Sequence, residues 1–228
     1  MNYKANKSHE DDGPEWGATA LLPVLSQEQT TYQYTVMIDE AIGEASYYRN
    51  VVQMLLQASE DDVVILHINS PGGLLSGAQT IIEALKATEA HTVALLVGSC
   101  SSAASLISMH CMDVVVTDSA ESLIHPPRGG AVGKVTDVHS GSQHFLKISN
   151  RMFKDAYAGF LTDDELREII AGREMFLDAD DLRQRYQARQ DYFIQLSEGE
   201  NIETEELATL TGNTEVRSED GRSKSKKK

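Results

Sequence analysis

Two stretches, Val63–Ile68 and Thr92–Val97, are apolar at almost every position instead of at alternate ones. A strand with one wet face alternates, whereas an unbroken apolar run suits burial on both faces of a parallel sheet. Helical spacing lies around them. Tyr34–Ile38 reads as a strand, and Ser46–Ala58 repeats through Val51, Val52, Leu55 and Leu56. Gly77–Ala87 places Ile81, Ile82 and Leu85 on one side. An apolar helix is expected from Ser102 to Met112, followed by short strands at Val114–Thr117 and Ser122–His125. The alternation implies βαβ crossovers and an α/β fold with a mainly parallel sheet. In such folds chemistry collects at the carboxyl ends of the strands.

Composition separates three segments: a polar arm over 1–29, an ordered domain over 30–196, and a charged tail over 197–228. From Ser197 to Gly221 the tail is acidic with Arg217 as its one cation, and Arg222 and Lys224 to Lys228 then reverse the sign. So little apolar surface cannot offset ordering entropy, so the tail is expected to be disordered. The whole chain has 20 basic against 35 acidic residues, net −15. That excess argues against nucleic acid as a partner, because phosphate needs a basic face. No apolar run approaches the ~18 residues of a membrane span, and MNYKANKSHEDDGPEW has no secretory apolar stretch. Cys100 and Cys111 sit in apolar surroundings, which favours free thiols and a reducing, cytoplasmic setting.

Two loops at strand ends carry the candidate chemistry. Asn69-Ser70-Pro71-Gly72-Gly73 follows the first apolar strand, and its glycines allow amides to face outward unobstructed. Gly98-Ser99-Cys100-Ser101-Ser102-Ala103-Ala104-Ser105 follows the second, where small residues and helix-terminal amides suit close approach and negative charge. A serine here is either a helix cap or a nucleophile; the second reading needs a base within reach. Of the seven histidines, His125 ends a strand beside Pro126-Pro127 and Gly129-Gly130. His67 and His110 read as hydrogen-bonded core histidines and His91 as a surface one. Ser101 is the nearest competitor to Ser102, ahead of Ser99 and Ser105. Cys100 is disfavoured because a buried thiol is inert. No HExxH or CxxC spacing occurs, so no metal is expected.

Asn69–Gly73, Gly98–Ser102, and Leu123–His125 with Pro127 and Gly129-Gly130 stand in the order of three signature blocks. From about Tyr34 to Ala179 the chain resembles the proteolytic subunits of the Clp protease family (ClpP). GSCSSAASLISM is similar to ClpP-like serine proteases encoded by bacteriophages. The resemblance implies a ClpP/crotonase-like α/β fold of layered parallel sheets with a protruding handle helix. Val135–Phe160, with Phe145, Ile148, Met152 and Ala156, matches that helix. It implies Ser102 as nucleophile, His125 as base, and the Gly73 and Ala103 amides as oxyanion hole. Gly72, Pro127, Gly129, Gly130 and Ala131 correspond to substrate-binding positions, without cofactor or metal. The implied partners are a polypeptide substrate, copies of the chain in a hexameric or heptameric ring or a stacked double ring, and an AAA+ unfoldase or a capsid scaffold. The implied location is the host cytoplasm or the virion.

Two departures stand out. The family's Arg-Asp block reads Arg173-Glu174-Met175-Phe176, making Glu174 the expected triad acid, with Asp178 and Asp180 as alternatives. The family's terminal Gly-Leu-Val-Asp strand is missing, and Leu182–Leu196 is helical in pattern. The competing readings are a ring subunit without activity and an acyl-CoA enzyme of the crotonase type, which needs no Ser-His couple.

Overall fold

A computed structural model describes residues 30–130 and 132–211. The polar arm over 1–29, Ala131 and residues 212–228 lie outside the described residues. Four strands form one parallel sheet in the order β1 (Gln33–Ile38), β2 (Val63–Ser70), β3 (His91–Cys100), β4 (Asp113–Val116). A one-turn 3₁₀ segment at Ala45–Tyr48 and helix α1 (Arg49–Gln57) connect β1 to β2, and α2 (Leu75–Ala87) connects β2 to β3. After β3 comes the short helix α3 (Ala103–Ser108). Beyond β4, strand β5 (Ser122–Ile124) pairs antiparallel with β6 (Met175–Leu177) in a separate two-stranded ribbon. Helices α4 (Val135–Ala156) and α5 (Asp163–Ile170) lie between β5 and β6, and α6 (Ala179–Thr211) follows.

Register explains which side of the sheet becomes core. Val36, Leu66, Ala94 and Val114 are paired across all four strands, as are Ile38, Ile68, Leu96 and Val116. This inner face joins Leu55, Ala78, Ile81, Ile82, Leu85, Leu106 and Ile107 in one core cluster. The rows between them belong to the outer face: Thr35, Ile65, Val93 and Asp113, then Met37, His67, Leu95 and Val115. Along β2 and β3 residues alternate between buried and partly buried, so the described residues cover only one face fully. That corrects the expectation of two buried faces. Period-two burial is present, but the outer positions are apolar all the same.

Other boundaries also differ. Helix α3 spans only Ala103–Ser108, because Ser102 has φ 54° and ψ −122° and so cannot begin the helix; the chain turns again at Met109–Cys111. The long helix α4 ends at Ala156, short of Phe160; Tyr157 caps it, and Gly159 turns the chain at φ +73°. Its first half is exposed, while Ser149, Phe153 and Ala156 are buried at its end. Helix α6 passes the expected order boundary at Ser197 and runs to Thr211. Glu, Ala and Leu favour helix, and this stretch has no proline and only Gly199 as a weak point. The acidic composition that suggested disorder is compatible with a polar helix.

Helix α5 is fixed by a capping box, in which the Thr162 side chain accepts from the Glu165 amide and Glu165 accepts from the Thr162 amide. The same Glu165 carboxylate takes Arg185 of α6 bidentately at 2.7 and 3.0 Å. Arg185 and the Thr162 amide hold its carboxyl well below the ordinary 4.5, at about 2. The depressed value means this contribution is complete above pH 4.5 and disappears as the pH falls towards 2. Urea titrations should therefore find the stability difference between wild type and Glu165→Gln largest near neutrality, shrinking below pH 4.5 and absent near pH 2.

Candidate active site

Three segments converge at the carboxyl ends of β2 and β3. Ser70 carbonyl accepts the Ser101 amide at 3.1 Å, and the Asn69 side chain accepts the Ser99 amide at 3.0 Å. Gly72 is buried at φ +90°, and a Cβ there would lie 2.6 Å from the Ser101 carbonyl oxygen and 2.9 Å from the Ala103 nitrogen. The two loops are thus packed backbone against backbone. On the other side β5 is fastened to the same turn: Cys100 N–H donates to Glu121 and Ser102 N–H to Leu123, both at 2.8 Å. Ser122 Oγ donates to the Cys100 carbonyl at 2.6 Å. His125 leaves the end of β5 two residues after Leu123, which brings it to the same cavity as Ser102.

Ser102 is the one described non-glycine residue at positive φ, in a region that costs ~1–3 kcal/mol for an ordinary side chain. Such a turn lifts a side chain out of the strand-to-helix junction. A cavity of about 320 Å³ is lined by Gly73, Ser102, Ala103, His125, Pro127 and Gly129, with apolar walls from Leu74, Leu75, Leu106, Phe145 and Phe153. A larger cavity, about 380 Å³, lies beside Met112, Tyr186 and Phe193 and holds none of the candidate residues. Ala103 is the first residue of α3, so its N–H has no partner within the helix. Gly73 N–H likewise has no acceptor among the described residues, although its neighbours bond to Ile42 on both sides.

The competing nucleophiles are committed elsewhere. Buried Ser101 Oγ accepts the Leu123 amide at 2.9 Å and meets Ser99 Oγ at 3.0 Å. Ser105 Oγ lies 2.7 Å from the Ser102 carbonyl oxygen and 2.6 Å from the Tyr157 hydroxyl. Burial pushes the Cys100 thiol up to about 12, far from a reactive thiolate.

The rest of the expected set is divided. His125 Nδ1 is 2.7 Å from the Pro126 carbonyl oxygen; the carbonyl can only accept, so Nδ1 carries the proton and Nε2 is left as the basic nitrogen. Glu174 does not meet the imidazole; it is ion-paired with Arg128, which also lines the cavity. The physical reason is local: Arg128 extends beside Glu174, and a guanidinium attracts a carboxylate more strongly than a neutral ring does. Asp178 instead caps α6 through the Asp180 and Asp181 amides, and Asp180 pairs with Arg183. Gly72 lies beneath the turn and Gly130 is exposed, and neither lines the cavity. Sequence reasoning missed Arg128 and the wall residues Leu74, Leu106 and Phe153; only Phe153, eight residues after Phe145 on α4, carried a periodic signal.

A sequence model of the Clp protease family matches residues 25–184, well over half of the chain. The chain belongs to the Clp protease family. It is 33% identical over 129 residues to the ATP-dependent Clp protease proteolytic subunit of Chlamydomonas reinhardtii, covering 54% of this chain. The match spans 25% of that relative's length. In this Clp protease family member the glycine loop, serine turn and histidine strand all fall inside the matched region. Among the described residues no group of His, Cys, Asp or Glu forms a metal cluster, and no helix is long and apolar enough to cross a membrane.

The approach at Gly72 makes a direct prediction. Gly72→Ala would force its methyl into backbone atoms of Ser101 and Ala103 at a φ that L-residues avoid. The expected cost is ~2–4 kcal/mol, since rigid backbone cannot yield as a side chain can. Chemical denaturation should read that loss, and an unchanged midpoint would disprove the tight junction.

Proposed function

We propose that this chain is a serine endopeptidase acting on unfolded or scaffold polypeptides. The observation carrying the reading is the single cavity shared by Ser102, His125 and the Gly73 and Ala103 backbone. His125 Nε2 takes the Ser102 proton as Oγ attacks the peptide carbonyl, and the amides of Gly73 and Ala103 receive the negative oxygen. The imidazolium then gives its proton to the leaving amine. Water, deprotonated by the same nitrogen, releases the acyl group and restores Ser102. One oxyanion donor of this kind contributes ~3 kcal/mol in serine hydrolases. The apolar walls suit apolar side chains beside the scissile bond, and Pro127 to Gly129 offer backbone to an extended substrate.

Glu174 is the proposed third member of the triad, a role that requires it to exchange Arg128 for the imidazole. The contact with Arg128 favours a second reading, a ring subunit that keeps the fold without the chemistry. Assembly into a ring is also proposed, and the sheet's outer face supports it. Met37 is 54% and Val115 49% exposed, and His67 Nδ1 between them is buried without a hydrogen-bond partner among the described residues. A neighbouring copy would cover that apolar row. The exposed Phe145 and Leu146 of α4 offer a similar surface for stacking one ring on another. An AAA+ unfoldase or a capsid scaffold would meet the assembled ring.

Reaction with a fluorophosphonate probe and hydrolysis of an unfolded protein separate the two readings. Wild type should label at one site and hydrolyse; Ser102→Ala should lose labelling and fall by on the order of 10⁶ in rate, with its oligomer mass unchanged. A folded wild type that fails to label would leave the inactive subunit.

A further inference from the structure

We infer that Tyr157 is a positioning residue for the oxyanion donor Ala103, acting through Ser105. The kinetic consequence rests on the hydrolase reading above, whereas the structural one does not. Ser102 C=O and Ala103 N–H belong to one planar trans peptide, so they point in opposite directions and turn together. Whatever fixes the carbonyl aims the amide.

That carbonyl accepts the Ser105 amide at 3.1 Å and the Leu106 amide at 3.4 Å, but its shortest partner is Ser105 Oγ at 2.7 Å. A serine hydroxyl has a single proton. Since Ser105 Oγ donates it to the carbonyl, its contact with Tyr157 at 2.6 Å must run the other way, with the phenol donating. The result is a directed chain from Tyr157 O–H to Ser105 O–H to Ser102 C=O. Each bond in such a chain polarises the next, and a carbonyl polarised in this way makes the N–H of the same peptide a better donor.

Tyr157 is built to hold this position. It is 1% exposed at the end of α4, between Phe153 at 5.4 Å and Phe160 at 6.0 Å between ring centroids. Burial pushes its phenol up, so it stays a donor throughout the ordinary pH range. Phe153, one turn earlier on α4, forms part of the cavity wall. The end of α4 therefore reaches the site twice, as wall and as the anchor of the strained turn.

A matched control exists in the same core. Tyr186 of α6 bonds Ser108 Oγ at 2.7 Å, and Ser108 in turn donates to the Ser105 carbonyl at 2.8 Å. Tyr186 is buried like Tyr157 and holds the same helix, but it does not touch the Ser102 carbonyl. The test compares Tyr157→Phe, Tyr186→Phe, Ser105→Ala and the double variant Ser105→Ala/Tyr157→Phe. Expected for Tyr157→Phe is a fall of about tenfold in kcat and in the fluorophosphonate labelling rate, with KM unchanged, since the oxyanion exists only at the transition state. Tyr186→Phe should lower Tm similarly with rates within about twofold of wild type. The double variant should be no slower than Ser105→Ala, because both changes break one chain. Equal rate losses in the two tyrosine variants, or an unchanged kcat in Tyr157→Phe, would overturn the inference. Should wild type prove inert, the hydrolase reading fails but amide exchange still decides this one. Faster exchange at Ser105 and Leu106 in Tyr157→Phe than in Tyr186→Phe supports it, and equal exchange refutes it.

Discussion

The contact between Gly72 and the backbone of Ser101–Ala103 is the constraint on which the site depends. Two strands of a parallel sheet end side by side, but strand spacing alone leaves room for side chains between their loops. Removing the Cβ at Gly72 closes that space and brings Gly73 and Ala103 to one cavity. Asn69 repeats the device one step earlier, its amide oxygen 2.4 Å from where a Cβ on Gly98 would be. The glycines are therefore a matter of distance as much as of backbone freedom. Because the Gly72 contact is made to the backbone of Ser101 and Ala103, its geometry is insensitive to rotamer choice.

The α/β class and the parallel order were legible because β2 and β3 are long, apolar and separated by a strongly periodic α2. The serine turn and the histidine were legible as types of residue at strand ends. What was not legible depends on contacts distant in sequence. Ser101 and Ser102 are indistinguishable as neighbouring serines, and it is the contact with the Leu123 amide, 22 positions away, that commits the Ser101 hydroxyl to structure. Strand β5 was legible as a short strand, but β6 and its pairing with β5 escaped notice because a three-residue strand carries almost no periodicity. Burial of the sheet was overread for a related reason. A continuous apolar run reports that both faces avoid water, not that one chain covers both. Past Ser197, charge was read as disorder although the residues are good helix formers.

Electrostatically the site is spare. The imidazole is oriented by a neutral backbone carbonyl at 2.7 Å, and Glu174 faces a guanidinium. A neutral acceptor fixes the tautomer as firmly as a carboxylate does, but supplies no negative charge for an imidazolium. Arg128 and Glu174 are both partly exposed, so their attraction is screened by solvent and modest. The buried, strongly held groups lie instead beneath the turn, among Ser105, Ser108, Tyr157 and Tyr186.

Helix α6 has a consequence for the order of events during synthesis. Tyr186 and Arg189 reach back 78 and 80 positions to Ser108 and to the Met109 carbonyl, and Arg189 also bonds the Ala158 carbonyl. The cradle beneath the Ser102 turn is thus completed by residues translated long after it. A growing chain carries its serine, histidine and glycines past the ribosome exit before the support that seats them exists. Until Tyr186 and Arg189 have been translated, the helix that follows Ser102 lacks these contacts.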